Sequence, residues 1–313
     1  MVEGTPQVQR RSSLLWLAWA SLLCGLWTVS AAAQELSPRS FWPAPVGTKV
    51  LVFGYSRSSG DVLMDPSIPL YGVDSKINTG VLGYLQTFDL LGRTANVVVE
   101  APYSWGTTKG LVEDTPGRRD FAGFNDPSIG LTVNLVGAPT LTPTDFQALR
   151  ANPRPLLGAS LKIVPPWGHY DKKRLINVGA NRWAMKAELG SVIPLQRRWL
   201  LELEAGAWFF GDDPDFIQGR REQEPIWAAE AHLVHRFRPG FWASLEFNYF
   251  TGGQQTVGGE ELVDLQSNSR IGGTFVVPFR GVYTVKIGYS TGARTRFGND
   301  FDQYLVTLQM LLR

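Results

Sequence analysis

The sequence predicts an all-β fold: a transmembrane antiparallel β-barrel of twelve strands. Three observations carry this. Segments of about ten residues alternate apolar and polar side chains. The links between them alternate short and long. One apolar stretch of helical length exists, and it sits at the N-terminus behind a basic flank. The 33 Gly, 20 Pro, 11 Trp, 9 Tyr and 17 Phe in 313 residues suit short strands and turns. The 30 Lys+Arg against 28 Asp+Glu exclude a strongly basic nucleic-acid binder, and no nucleic-acid partner is expected. One Cys and three His argue against a disulfide framework and a His/Cys zinc site.

In chain order, Arg10 and Arg11 precede the run Leu14 to Val29, then Ser30, Ala31, Ala32 and Ala33. A basic flank, an apolar core and an Ala-x-Ala exit predict a signal peptide over 1–33 and general secretion. Cys24, the single cysteine, falls inside it. The barrel domain is then 34–313, opening with a short segment, 34–46.

Strands are predicted near 48–58, 75–88, 94–106, 126–137, 155–165 and 181–193 in the first half. In 75–88 the outward face is ambiguous between Val81/Leu85 and Leu82/Tyr84. The second half is more regular. Leu201, Leu203, Ala205, Ala207 and Phe209 oppose Glu202, Glu204, Gly206 and Trp208. Trp227, Ala229, Ala231 and Leu233 oppose Ala228, Glu230, His232 and Arg236. Strands 241–249, 270–277, 283–290 and 303–312 follow the same alternation. Short turns fall at Leu91-Gly92-Arg93, Leu195-Gln196-Arg197, Arg238-Pro239-Gly240 and Arg280-Gly281. Long links are expected over 59–74, 107–125, 166–180, 211–225, 252–268 and 292–300. One link at the short-turn end, 138–154, breaks the parity. There Thr144-Asp145 ahead of Phe146-Gln147-Ala148-Leu149-Arg150 predicts a capped single-turn helix.

A soluble β-sandwich and a lipocalin-type barrel also alternate. Three cues favour lipid outside. Aromatics such as Trp183, Trp199, Trp227, Tyr249, Tyr289 and Tyr304 sit near strand ends on the apolar face, as interface girdles do. The opposite face carries small and charged residues. The exported chain lacks disulfides and keeps its turns tight. A closed barrel pairs every backbone amide internally, which lipid demands of any β-structure. Outer-membrane lipid is therefore an expected partner, as is the barrel-insertion machinery during biogenesis.

Several stretches carry a family resemblance. Residues Pro38 to Thr48 (PRSFWPAPVGT), Gly60 to Pro69 (GDVLMDPSIP), Val73 to Asn78, Phe124 to Leu131 and Asn134 to Pro139 resemble the "MetA-pathway of phenol degradation" family of outer-membrane transporters. The resemblance covers most of the chain after residue 33 and is most specific over 38–140. It implies a Gram-negative outer-membrane barrel passing a hydrophobic or aromatic compound, and brings no catalytic or ligand residues with it. The ending Leu311-Leu312-Arg313 departs from the terminal aromatic common in such barrels.

The predicted inward face carries Glu100, Lys162, Lys186, Glu188, Glu202, Glu204, Glu230, Arg236, Glu246, Arg270 and Lys286. Such charges must pair in a narrow lumen. The expectation is that Lys186 and Lys162 approach Glu188 and Glu202. Arg236, Arg270 and Lys286 should approach Glu230 and Glu246. These residues either line a selective path or form a packed polar plug. Asp61, Asp65 and Asp74 could offer oxygens to Ca²⁺, but solvated carboxylates are the commoner reading, and no metal or cofactor is expected. His232 and Ser244 could share a face, yet no nucleophile motif surrounds Ser244, so the chain is not expected to be an enzyme. The function expected is passive admission of a small, hydrophobic or aromatic solute through a porin-like channel. The alternative is a non-conducting structural or adhesive barrel with partner-binding loops. Oligomeric state is not legible.

Overall fold

The computed structural model describes residues 36–62, 71–112, 115–298 and 300–312. The leader expected over 1–33, and Asp65 of the first long link, lie outside these residues. Twelve barrel strands close into an antiparallel ring. In chain order the elements begin with β1 (Lys49–Gly60), β2 (Tyr71–Leu90), β3 (Arg93–Val112), β4 (Thr115–Phe124) and β5 (Ser128–Val136). Helix α1 (Pro143–Ala151) follows, then β6 (Leu156–Val164), β7 (Ala184–Gln196), β8 (Trp199–Phe210), β9 (Arg221–Gln223) and β10 (Ile226–Arg238). The rest are β11 (Phe241–Gly252), β12 (Gln255–Val257), β13 (Glu260–Glu261), β14 (Gln266–Phe279), β15 (Tyr283–Arg294) and β16 (Phe301–Leu312). Pairing of β1 with β16, from Lys49↔Leu312 to Gly60↔Phe301, seals the ring and leaves no edge at that seam. The fourth barrel strand is split: β5 pairs the lower part of β3 and β4 pairs its upper part. Strands β9, β12 and β13 form a separate small sheet at the long-loop end.

Side-chain parity sorts the two faces. Leu82, Leu189, Leu245, Ile271 and Ile287 are all about half exposed or more and point outward. Their sequence neighbours Gly83, Glu188, Glu246, Arg270 and Lys286 are buried. The ambiguity in β2 resolves the same way: Leu85 is buried, and Leu82 is 50% exposed. Outward aromatics cluster at two levels. Tyr289 and Tyr304 lie 5.0 Å apart at the upper level, near the long loops. Trp199, His235 and Phe237 pack edge to face in series at the lower level, near the short turns. Two such girdles around an apolar band match a bilayer. No described helix is long and apolar enough to cross a membrane.

The short turns are set by backbone chirality. Leu91 and Gly92 have φ of 52° and 78°, and Arg280 and Gly281 have 46° and 74°. Two successive left-handed residues make the primed turn whose twist matches the flanking strands. Strands β2 and β3 each run 20 residues. A membrane crossing needs about 9–11 residues, so this hairpin overhangs at its long-loop end. Parts of the links expected over 59–74 and 107–125 are therefore strand, because the β2–β3–β4 pairing continues past the membrane.

Helix α1 is longer than the single turn expected, and its cap lies two residues earlier. Thr142, not Thr144, is the N-cap. Its hydroxyl accepts from the Asp145 amide, and the Asp145 carboxylate accepts from the Thr142 amide. Pro143 then takes the first helical position, where its missing N–H costs nothing. Phe146 and Leu149 are buried, turning the helix into a stopper at the short-turn mouth.

The residues before β1 enter the barrel. The ring of Phe41 fills the space left by Gly158 and Gly190, which face each other across β6 and β7. A Cβ at either glycine would collide with that ring. Leu36 lies deeper, against Gly272. Together with α1, this segment closes an apolar core inside the ring, built on Val50, Val52, Leu85, Val98, Leu156, Val192, Leu200, Val234, Trp242 and Val276. The core of this protein thus sits within the lower half of the lumen.

Candidate functional site: the barrel lumen

Above the apolar core the inward face turns ionic. Ten of the eleven sequence-predicted lumen residues are at most 6% exposed and face the interior: Glu100, Lys162, Lys186, Glu188, Glu202, Glu204, Glu230, Glu246, Arg270 and Lys286. Burial of so many charges requires mutual neutralisation or hydrogen bonding. Glu100 on β3 and Lys162 on β6 stand 3.5 Å apart, and Ser128 donates to Glu100 at 3.0 Å. Lys186 on β7 contacts Glu188 at 2.6 Å and Glu230, two strands away, at 3.4 Å. Glu246 on β11 accepts from Ser244 at 2.6 Å. Arg270 on β14 donates to Ser290 at 2.9 Å and lies 3.7 Å above the Phe301 ring.

The expected pairing is met in part. Lys186 does reach Glu188. Lys162 instead takes Glu100, because β6 and β3 flank the short inward side chains of β5. Glu202 is held by Arg39, a residue the periodicity argument did not select, since it precedes every strand. The Arg39 amide donates to Glu202 at 2.7 Å and the guanidinium lies 3.5 Å from the same carboxylate. Arg236 does not approach Glu230 or Glu246. Six residues along β10 separate Arg236 from Glu230, about 20 Å of strand. It donates to the Arg150 carbonyl at 2.9 Å and to the Arg197 carbonyl, at the lower mouth.

One lumenal group suits a cation. Ligand atoms of Glu204, Glu230 and His232 all lie within 4.8 Å of one another. His232 Nε2 is 3.9 Å from Glu204 and 3.6 Å from Glu230, and neither ring nitrogen has a hydrogen-bond partner. Two carboxylates and an imidazole are an adequate donor set for a divalent ion, with Lys186 competing for Glu230. In sequence, metal-ligand candidates stand out among His and Cys and in the acidic loops, not across paired strands; β8–β10 register, Glu230↔Glu204 and His232↔Glu202, is what gathers this group. The pairing of β10 with β11 sets His232 opposite Glu246 rather than Ser244. Ser244 pairs in register with Val234, and its hydroxyl is committed to Glu246.

The long-loop end is tied across by buried polar contacts. Asp213 accepts from Tyr170 at 2.9 Å and from Asn181 at 2.7 Å, and lies 3.6 Å from Arg221. Two long links, the one between β6 and β7 and the one between β8 and β10, therefore meet on one carboxylate.

With this architecture in view, the comparisons are decisive about family. A family model described as "Putative MetA-pathway of phenol degradation" matches residues 57–304. The chain belongs to that family. Its fold is shared with the crystal structure of the COG4313 outer membrane channel from Pseudomonas putida F1, at a TM-score of 0.72 and 19% identity. That alignment covers 89% of this chain and 100% of that one. The KdgM porin aligns at a TM-score of 0.43 and 8% identity, over 84% of this chain and 99% of its own. The transport unit of the autotransporter AIDA-I from Escherichia coli aligns at 0.47 and 10%, over 84% and 90%. Comparison with curated proteins gives no match.

Proposed function

We propose that this protein is a passive outer-membrane channel for a small compound with a hydrophobic or aromatic body, and that it rests closed. The observation that carries the reading is what blocks the lumen. The lower half is stopped by the chain's own residues 36–46 and by α1, docked through side-chain packing rather than by wall strands folding inward. A segment of that kind leaves a ring intact when it moves. The ionic belt of Glu100, Lys162, Lys186, Glu188, Glu202, Glu204, Glu230, Glu246, Arg270 and Lys286 lines the path above it, with Arg236 at the lower mouth. Membership in the phenol-degradation family supports an apolar solute. In this reading residues 1–33 are the export leader, the insertion machinery assembles the ring, and short turns and both chain ends face the periplasm.

The test is conductance in planar bilayers, with uptake of a neutral aromatic such as phenol into proteoliposomes. Wild type should conduct weakly. A chain lacking residues 36–42 should conduct at least about ten-fold more, since only α1 and wall side chains then narrow the lower half. Silence from both, with no phenol uptake, would favour the non-conducting structural barrel. Glu202→Ala, which removes the carboxylate that holds Arg39, should fall between them.

A further inference from the structure

We propose that the lower mouth holds a binding site for a small organic acid, taking its carboxylate on arginines and its apolar body on two tryptophans. A cavity of about 380 Å³ opens there. Six arginines line it: Arg39 from the N-terminal segment, Arg150 from α1, Arg197 and Arg198 from the β7–β8 turn, and Arg236 and Arg238 from β10. No described lining residue is acidic. Glu202 answers Arg39 from deeper in the lumen, and no described residue of the cavity wall offers a carboxylate to Arg197, Arg198, Arg236 or Arg238. Like charges gathered from four separate elements repel, and a low-dielectric mouth magnifies the cost. Burial and the neighbouring Arg39 push Arg150 down to about 10.

The remaining hydrogen-bonding capacity points the same way. Arg236 spends two of its nitrogens on backbone carbonyls, and its buried Nε has no partner. A planar guanidinium fixed by neutral carbonyls keeps its full charge and is pre-set for a carboxylate. The apolar half is equally specific. Trp42 and Trp242 both line the cavity. The Arg39 guanidinium lies 4.0 Å from the Trp42 ring centre and 5.8 Å from that of Trp242, and Arg236 lies 5.8 Å from Trp42. Cations and indole faces thus alternate around one space. A ligand with one anionic end and one flat apolar end satisfies both, whereas a bare inorganic anion leaves the indoles unused.

The proposal deepens the channel reading by naming an anionic subclass of solute at one end of its path, and rests on that reading for its physiological sense. Binding is therefore measured without transport, on detergent-folded full-length protein, by calorimetry. The probes are benzoate, its neutral counterpart benzyl alcohol, and glycerol phosphate as a lipid-headgroup mimic. Benzoate should bind at least ten-fold more tightly than either. Arg197→Gln/Arg198→Gln, a change confined to an exposed turn, should weaken benzoate several-fold, and Arg236→Gln at least ten-fold. Each variant is first checked for folding by its heat-modifiable gel migration. Equal binding of benzoate and benzyl alcohol would overturn the proposal, as would variants that bind like wild type. Tighter binding of glycerol phosphate would overturn it in favour of a phospholipid headgroup. Conductance of the chain lacking residues 36–42 tests the channel reading separately, so the two can fail independently.

Discussion

The two halves of the lumen are built from the same strands, yet they solve opposite problems. The lower half buries Val50, Val192, Val234 and Val276 against Phe41, Trp42 and α1, and behaves as a protein core. The upper half buries glutamates, lysines and Arg270 on inward positions farther up the wall of the same ring. Apolar packing tolerates no gaps and holds its shape by volume. Ionic packing holds only while each charge keeps its partner. A barrel that needs one movable end and one lasting polar wall gains from this division, because separate substitutions act on each.

The largest expected effect removes the occupant of the lower half. Phe41→Ala with Trp42→Ala should cost about 3–5 kcal/mol for each ring if the ring space cannot refill. Amide exchange over residues 36–46 should then lose its protection while the strands keep theirs. Equal loss in both would mean the halves are one cooperative unit. A smaller effect comes from the receptor side. Gly190→Val pushes a side chain into the Phe41 ring and should cost about 1–3 kcal/mol, read as a lower urea midpoint in detergent. Unchanged stability would show that Phe41 can leave freely. Next is the stopper helix: Thr142→Ala removes the hydroxyl arm of its capping box, leaving the Asp145 carboxylate on the residue-142 amide, and should cost about 1 kcal/mol, visible as faster exchange over 143–151 alone.

The smallest effect sharpens the contrast from the far end. Burial and the nearby Asp300 carboxylate raise Asp61 to about 6 from the usual 3.8. The folded chain then keeps a proton that the unfolded chain has released. The associated stability is complete below pH 3.8 and is lost as pH rises through about 6. The protection factor at residues 60–62, the exchange rate taken relative to the intrinsic rate at each pH, should therefore fall from pH 4 to pH 7, while that of residues 36–46 does not change. Asp61→Asn should flatten the difference.

Much of the fold is readable in the residues because a two-residue period has only two phases. Once Glu202 and Glu204 are placed inward, every neighbour on β8 follows. Strand extension beyond the membrane was less readable. Thr107 and Thr108 look like loop chemistry, and only pairing with Lys76 and Ser75 makes them strand. The candidate lumen residues followed from parity, but their partners did not. Which cation meets Glu202 depends on Arg39, whose position is fixed by a hollow at Gly158 and Gly190. Two inward glycines in register are a signal for an inserted ring, visible only when the strand pairing is known. The arginine mouth escaped for a similar reason, since its six members come from four distant stretches of chain.

Residues 43–48 link the inserted ring of Phe41 and Trp42 to the first strand. The base of this link is pinned: the Val46 amide donates to Leu141 and the Gly47 amide to Thr87, each at 3.0 Å. The occluding peptide is therefore tethered within a few residues of its receptor, at an effective local concentration in the millimolar range. Its return is a first-order event that does not depend on how many copies of the protein the membrane holds. A solute that opens the passage by competition must outbid a resident that never diffuses away, so weak, abundant compounds will keep it open and scarce ones will not.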